Sequence, residues 1–599
     1  MNRKLGRGAG LVLMTALLLA GADCASRTAK KPGIAPPAYR VRAEKDVMIP
    51  MRDGVKLATD IYFPVGLDQA PTILIRTPYG KSLQMVMGRP DVSRILASRG
   101  YVIVIQDVRG RYGSGGDFYP FVNDGADGRD LIAWIEKQPW FDGRLGTYGA
   151  SYLGTTQWFE SPGQKLDAMH LSVTSPNLRE VLYTGGELHL MTVYFWSVVM
   201  GERKNDFQVI LKMRRINRSI YTLPLDQADD RASRDVVYFD QALDPLAIMD
   251  TYQKVNLDRK YREISAPAVF VAGWYDMFLG PELLDFNRLL REGGGQAKSS
   301  VLVVGPWGHG MKGGDGSVDY GPGTKQKDVV GPAHYLAWFD HWLKGAENGV
   351  SGWPRVRIFV MGENVWRDES EWPLLRTRYT DYYLHSGGQA NTRNGDGTLS
   401  IEAPKATEPA DHFSYDPLNP VPTRGGNSLG LNLGAYNQAQ VEDREDVLCY
   451  TTPALEQDVE VTGPITATLY ASSDALDTDF TVKLVDVYPD GKAVNIQDGI
   501  ARARYRNNDP EHPTPLTPGA VEEYPLDLWA TSNLFPAGHR IRVEVSSSNF
   551  PRFNRNLNTG EPVPGATRTV KAKQSIAHDP DRPSRVTLPI IPRESSARK

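Results

Sequence analysis

Cysteine is nearly absent from this 599-residue chain, which has only Cys24 and Cys449. That excludes the disulfide framework of a small exported scaffold. A bridge between the two is not expected either, since Cys24 lies in an N-terminal tail. Excess charge is also missing. Sixty-eight Lys and Arg against 71 Asp and Glu leave a net charge of −3, which makes no electrostatic case for a nucleic-acid partner. The basic run Lys212-Met213-Arg214-Arg215 reads as a solvated helix face. None of the ten histidines falls in a metal-ligand spacing, so neither a metal nor an organic cofactor is expected. No apolar run has the length of a membrane span. No internal repeat stands out.

What is present is the composition of a soluble globular protein, 41% hydrophobic and 23% charged, at a length that favours two or three domains. Residues 1–22 carry Arg3, Lys4 and Arg7, then an apolar run from Leu11 to Ala20, then Ala20-Gly21-Ala22. This is the layout of a secretory signal, and it places the mature chain near Asp23, in the periplasm or outside the cell. Lipid anchoring at Cys24 is the lesser alternative, because Gly21 and Asp23 fit poorly around a lipidated cysteine. Residues 23–44 read as linker.

From residue 45 the pattern is that of a sheet. Asp53-Gly54, flanked by apolar stretches, marks a β-hairpin. Thr72-Ile73-Leu74-Ile75 and Tyr101-Val102-Ile103-Val104-Ile105 are short continuous apolar runs separated by a helix near residues 92–98. Such runs suit strands buried on both faces of a mostly parallel sheet. A helix over residues 127–137 leads to a further strand. Residues 161–262 look mostly helical, including an apolar stretch at 188–200 of buried-helix length, and are assigned to a cap. The strand–helix rhythm resumes over 263–350, with strands at Ala268-Val269-Phe270-Val271-Ala272 and Val301-Leu302-Val303-Val304. The aromatic stripe Tyr335, Trp338, Phe339 and Trp342 on the closing helix reads as packing. Residues 351–593 are strand-rich, as in a β-sandwich of jelly-roll type. In Arg540-Ile541-Arg542-Val543-Glu544-Val545 the apolar residues should face a core and the charges water.

The motif that carries chemistry is Gly149-Ala150-Ser151-Tyr152-Leu153-Gly154. It places a serine between a strand and a helix, with its second glycine one residue later than in Gly-x-Ser-x-Gly. Gly426-Asn427-Ser428-Leu429-Gly430 fits that pattern better, but no strand precedes it and no helix follows, so it reads as loop. Gly273-Trp274-Tyr275-Asp276 and Gly305-Pro306-Trp307-Gly308-His309 each put a polar residue just past a buried strand, where open α/β sheets place their sites. Ser151, Asp276 and His309 therefore stand in the order nucleophile, acid, base of α/β-hydrolases.

With Met51-Arg52-Asp53-Gly54, Arg76-Thr77-Pro78-Tyr79, Gln106-Asp107-Val108-Arg109-Gly110 and the late Phe535-Pro536-Ala537-Gly538-His539, the chain resembles one family of serine hydrolases. That family includes cocaine esterase, α-amino acid ester hydrolases, glutaryl cephalosporin acylases and Xaa-Pro dipeptidyl-peptidases. The resemblance runs from about Val47 to about Pro592. It implies an α/β-hydrolase core, an inserted helical cap and a C-terminal jelly roll. It also implies Ser151 as nucleophile, His309 as base, Asp276 as its orienting acid, and an oxyanion hole made by the Tyr79 hydroxyl and the Tyr152 N–H. Phe278 matches a pocket residue of the cocaine esterase branch. The expected substrate is a small ester or amide. An Xaa-Pro dipeptidyl-peptidase is the runner-up, although those enzymes generally carry an additional N-terminal domain. Glu187 and Asp250 are the candidate carboxylates for a substrate ammonium. The competing class is an inert core with a glycan-binding module.

Overall fold

The computed structural model describes residues 34, 36–82, 92–204, 209–253, 255–310, 316–429, 432–507 and 512–593, the side chains of 209–212 aside. The signal reading of residues 1–22 and the position of Cys24 lie outside the described residues. Cys449 is a buried free thiol.

In chain order the first part of the molecule contains the strands β1 (Val41–Pro50), β2 (Lys56–Pro64), β3 (Ala70–Thr77), β4 (Val102–Asp107), β5 (Phe141–Ala150) and β6 (Ala168–Ser172). A two-residue hairpin follows, β7 (Tyr183–Thr184) and β8 (Glu187–Leu188), and then β9 (Ala268–Tyr275), β10 (Val301–Gly308), β11 (Val356–Val360) and β12 (Val365–Glu369). The hairpin apart, these form one ten-stranded sheet in the order β1-β2-β4-β3-β5-β6-β9-β10-β11-β12. Pairing is parallel from β4 through β11 and antiparallel at both flanks.

The continuous apolar runs become strands buried at every position, as in β4 and β9, because helices cover both faces. On one face Phe270 and Ala272 pack with Leu131, Ile132 and Ile135 of α2 (Asp124–Ile135) and with Trp158 of α3 (Tyr152–Glu160). On the other, Val269 and Val271 meet Leu96 of α1 (Val92–Ala97), and Trp338 and Phe339 of the helix Pro332–Lys344. The Tyr335-to-Trp342 stripe is thus packing. Helices α4 (Leu178–Leu182) and α5 (Leu190–Met200), with further helices as far as Pro245–Gln253, form the cap.

Three stretches differ from the sequence reading. β1 begins at Val41, inside the segment read as linker, because its pairing with β2 continues through Arg42 and Ala43 to Pro64. β6 lies within the 161–262 stretch assigned to the cap, yet it is a buried central strand of the core sheet. β11 and β12 extend the same sheet past residue 350, since Val356, Arg357 and Ile358 pair with β10.

Twelve strands between Arg378 and Ile591 make up a second, β-rich unit. Its pairing is antiparallel apart from the parallel contact of Thr398–Ser400 with Leu448–Thr451. Ile541, Val543 and Val545 face its core. Arg542 and Glu544 do not face water as expected; both are buried. The other face of that strand is covered by the short helix Ala439–Glu442, so Arg542 pairs with Glu442 at 2.9 Å and Glu544 with Lys483 at 2.9 Å.

Burial pushes the Glu544 carboxyl up to about 7, against the nearby Lys483 charge. Replacing Lys483 with Met strands that carboxylate, at a cost of about 3 kcal/mol. Without Lys483 the folded-state pKa of Glu544 rises further above its unfolded value. The variant's stability is then retained at low pH and lost as pH rises through the folded pKa. Lys483→Met is expected to lower the melting temperature more at pH 8 than at pH 5; equal shifts at the two pH values would contradict this placement of charge.

Candidate active site

Ser151 follows β5 directly and caps α3, with φ 58° and ψ −129°. An L-residue is strained there, and the strain turns the side chain out of the sheet edge. The Ser151 N–H donates to Ser172 O at 2.9 Å, while its carbonyl accepts from Gly154 N at 2.8 Å and Thr155 N at 3.0 Å. Gly154 is required by packing: a Cβ there would lie 2.5 Å from Thr174 Cγ2. The displaced second glycine of the motif therefore lets α3 sit against the segment after β6.

His309, one residue beyond β10, reaches Ser151 Oγ from Nε2 at 3.1 Å and Asp276 Oδ2 from Nδ1 at 2.8 Å. A carboxylate only accepts, so Nδ1 carries the proton and Nε2 is left to accept from the serine. Asp276 is fully buried, and its Oδ1 accepts from Phe278 N at 2.8 Å. Glu282 lies nearby. Burial, then the like charges of Asp276 and Asp285, push the Glu282 carboxyl well above the ordinary carboxylate range. Backbone hydrogen bonds from Thr174 and Val173 oppose that rise.

The Tyr79 hydroxyl interacts with the Ser151 side chain and accepts from Trp196 Nε1 at 3.2 Å. Burial raises the Tyr79 pKa above that of an ordinary phenol, against the hydrogen bonds of Trp196 and Ser151 and the Arg111 charge. Its proton stays in place at neutral pH. Tyr152 opens α3, so its N–H belongs to the first turn, whose amides find no carbonyl within the helix. Its side chain stacks on Phe121 at 4.4 Å and donates to Asp124 Oδ2 at 2.6 Å. The Phe278 ring stands 5.6 Å from that of His309, in a cluster with Val181, Met277 and Leu429.

Residues 53–311 match the X-Pro dipeptidyl-peptidase (S15 family), and residues 348–587 match the X-Pro dipeptidyl-peptidase C-terminal non-catalytic domain. The chain is 39% identical over 571 residues to the cocaine esterase of Rhodococcus sp. (strain MB1 Bresler), an alignment spanning 92% of this chain and 98% of that one. It belongs to the cocaine esterase family of serine hydrolases. Among solved structures, an aminopeptidase from the marine sediment archaeon Thaumarchaeota archaeon superposes with a TM-score of 0.77 at 26% identity, covering 96% of this chain and 99% of that one. An α-amino acid ester hydrolase superposes at 0.75 with 25% identity, covering 95% and 100%.

Within this cocaine esterase family fold, the structure brings together Ser151, His309, Asp276, Tyr79, Tyr152 and Phe278. It does not bring in the two candidate carboxylates. Glu187 is buried in an ion pair with Arg502 of the β-rich unit, and Asp250 is exposed on the helix Pro245–Gln253. Among the described residues no group of three or more His, Cys, Asp or Glu is arranged to hold a metal, and no helix is long and apolar enough to cross a membrane. Ser428 lies in a loop, as read, and its hydroxyl donates to Leu429 O.

Sequence reasoning missed Trp196, Asn427 and Gln497. Asn427 Nδ2 donates to Asp276 O at 2.9 Å and to Trp274 O at 3.2 Å, and Gln497 Nε2 donates to Trp274 O at 2.7 Å. The β-rich unit therefore holds the backbone that presents Asp276. Only the glycines around Asn427 marked that loop at all. Asn427→Ala removes a donor from a buried carbonyl, at a cost of about 1–3 kcal/mol, and loosens the acid's turn. Steady-state kinetics should show kcat/KM falling roughly tenfold, with Ser151 still open to a fluorophosphonate probe.

Proposed function

We propose that the chain hydrolyses carboxylic esters of uncharged, apolar or aromatic acids through an acyl-enzyme on Ser151. The observation that carries this reading is the His309 imidazole bridging Ser151 Oγ and Asp276 within hydrogen-bond distance on both sides. In this mechanism Ser151 Oγ attacks the acyl carbonyl as His309 Nε2 takes its proton, and Asp276 stabilises the imidazolium. The tetrahedral oxyanion accepts from the Tyr79 hydroxyl and the Tyr152 N–H. His309 then gives its proton to the departing alkoxide, and water, activated by the same imidazole, releases the acid and restores Ser151.

The apolar neighbours Phe278, Val181, Met277 and Leu429 support an uncharged acyl group. An α-amino acyl ester or an Xaa-Pro amide brings an ammonium, which needs a carboxylate. Glu187 is committed to Arg502, and Asp250 is directed to solvent. The match to the X-Pro dipeptidyl-peptidase (S15 family) keeps Xaa-Pro amides as the second reading. The layout of residues 1–22 supports export of the mature enzyme, beginning near Asp23, to the periplasm or beyond.

Ser151→Ala is expected to abolish ester hydrolysis and fluorophosphonate labelling. Tyr79→Phe should lower kcat by about a hundredfold, roughly 3 kcal/mol of oxyanion stabilisation, with little change in KM. A panel of aromatic acyl, α-amino acyl and Xaa-Pro chromogenic substrates should rank in that order. Full activity in Ser151→Ala, or preference for the Xaa-Pro amide, would count against the reading.

A further inference from the structure

Arg111 stands just past the Gln106-to-Gly110 run, and its side chain is fully buried. Its guanidinium is shared between two supports of Tyr79. Nε donates to Pro78 O at 2.9 Å, the carbonyl immediately before Tyr79. Nη1 donates to Met200 O at 2.9 Å, at the C-terminal end of α5, and also to Glu202 O. The same α5 carries Trp196, whose indole N–H meets the Tyr79 oxygen. One planar fork therefore joins the loop that presents the phenol to the helix that supplies its hydrogen-bond donor. A lysine ammonium lacks that rigid geometry.

Three further observations bear on the same point. The guanidinium lies over the Phe118 ring at 5.0 Å, and Phe118 in turn packs 6.3 Å from Tyr152. Gly80, directly after Tyr79, has φ +91°, and a Cβ there would lie 2.8 Å from the ring of Tyr112, the neighbour of Arg111. The loop is thus pressed against the Arg111 segment from both sides of Tyr79. The Arg111 cation also acts on the Tyr79 phenol electrostatically, favouring negative charge at that position. A fixed cation in a buried site acts most strongly where charge develops during reaction, and it is favourably placed at a helix C-terminus.

We propose that Arg111 is a positioning residue for ester hydrolysis: it fixes the Tyr79 hydroxyl toward the oxyanion by stapling the Pro78 carbonyl to the end of α5, and its buried charge strengthens that hydroxyl as a donor. The phenol keeps its proton throughout. This inference rests on the reading of Tyr79 as an oxyanion donor.

The test is a double-mutant cycle of Arg111→Met and Tyr79→Phe, read as kcat and KM on one aromatic acyl ester and as affinity for an alkyl boronic acid, which forms an anionic tetrahedral adduct. Arg111→Met is expected to lower kcat about tenfold or more and to weaken boronate binding in step, with KM nearly unchanged. In the Tyr79→Phe background it should lower kcat by no more than about twofold, because its effect passes through the missing hydroxyl. Equal losses in both backgrounds, or a rise in KM alone, would overturn the inference while leaving Tyr79 its role. A Tyr79→Phe enzyme as active as the parent would instead remove the oxyanion reading, and this inference with it. Melting curves establish that each variant is folded. If Arg111→Met does not fold, Arg111→Lys enters the same cycle under the same criteria.

Discussion

The strained backbone of Ser151 is the constraint that the rest of the site depends on. A residue at φ 58° and ψ −129° costs on the order of 1–3 kcal/mol and persists only where its surroundings leave it no alternative. Here they are supplied by a buried clamp. Gln157 on α3 donates to Gly149 O, Leu153 O and His170 O, and its amide oxygen accepts from Thr147 Oγ1 at 2.7 Å. A single side chain so ties β5, α3 and β6 around the serine. Because Gly154 carries no Cβ, α3 can close onto Thr174 and complete the turn.

Around that fixed point the three parts of the molecule each hold one arm of the site. The parallel sheet sets Ser151, Asp276 and His309 just past the ends of β5, β9 and β10, with β6 between the first two. The cap supplies Trp196 to Tyr79 through α5. The β-rich unit supports the acid's backbone through Asn427 and Gln497, and Tyr275 OH donates to Asn495 O at 3.2 Å. It also takes the β7–β8 hairpin into its own buried charges through Glu187 and Arg502. The second unit is therefore a structural component of the candidate active site, though Ser151, Asp276 and His309 all lie outside it. Its loop at residues 426–429 also brings Leu429 to the cluster that holds Phe278.

Strand-end chemistry was the most legible feature of the sequence. Continuous apolar runs followed by a small turn and a polar residue mark Asp276 and His309, since buried parallel strands need apolar residues and their sites lie just beyond, whereas Ser151 is marked by its glycine-flanked motif, β5 being neither continuously apolar nor buried throughout. Tyr79 and Phe278 were visible through family resemblance alone; a tyrosine in a turn carries no pattern of its own. Trp196 was hidden because α5 is apolar on almost every side, so no position in it stands out. Arg542 and Glu544 misled because strict alternation implies one wet face, whereas here a short helix covers that face and each charge has found a partner. β6 reads as part of the cap because a strand of five residues gives too short a period to distinguish from its surroundings.

The central claim is that Ser151 carries the acyl group between two half-reactions. The most direct measurement is intact-protein and peptide mass spectrometry on enzyme quenched in acid during turnover of a slowly deacylating aromatic ester. The account expects the mass of one acyl group on the peptide containing Ser151, appearing within the pre-steady-state burst of released alcohol. Turnover with no burst and no acylated peptide, or acylation of a residue other than Ser151, would contradict it.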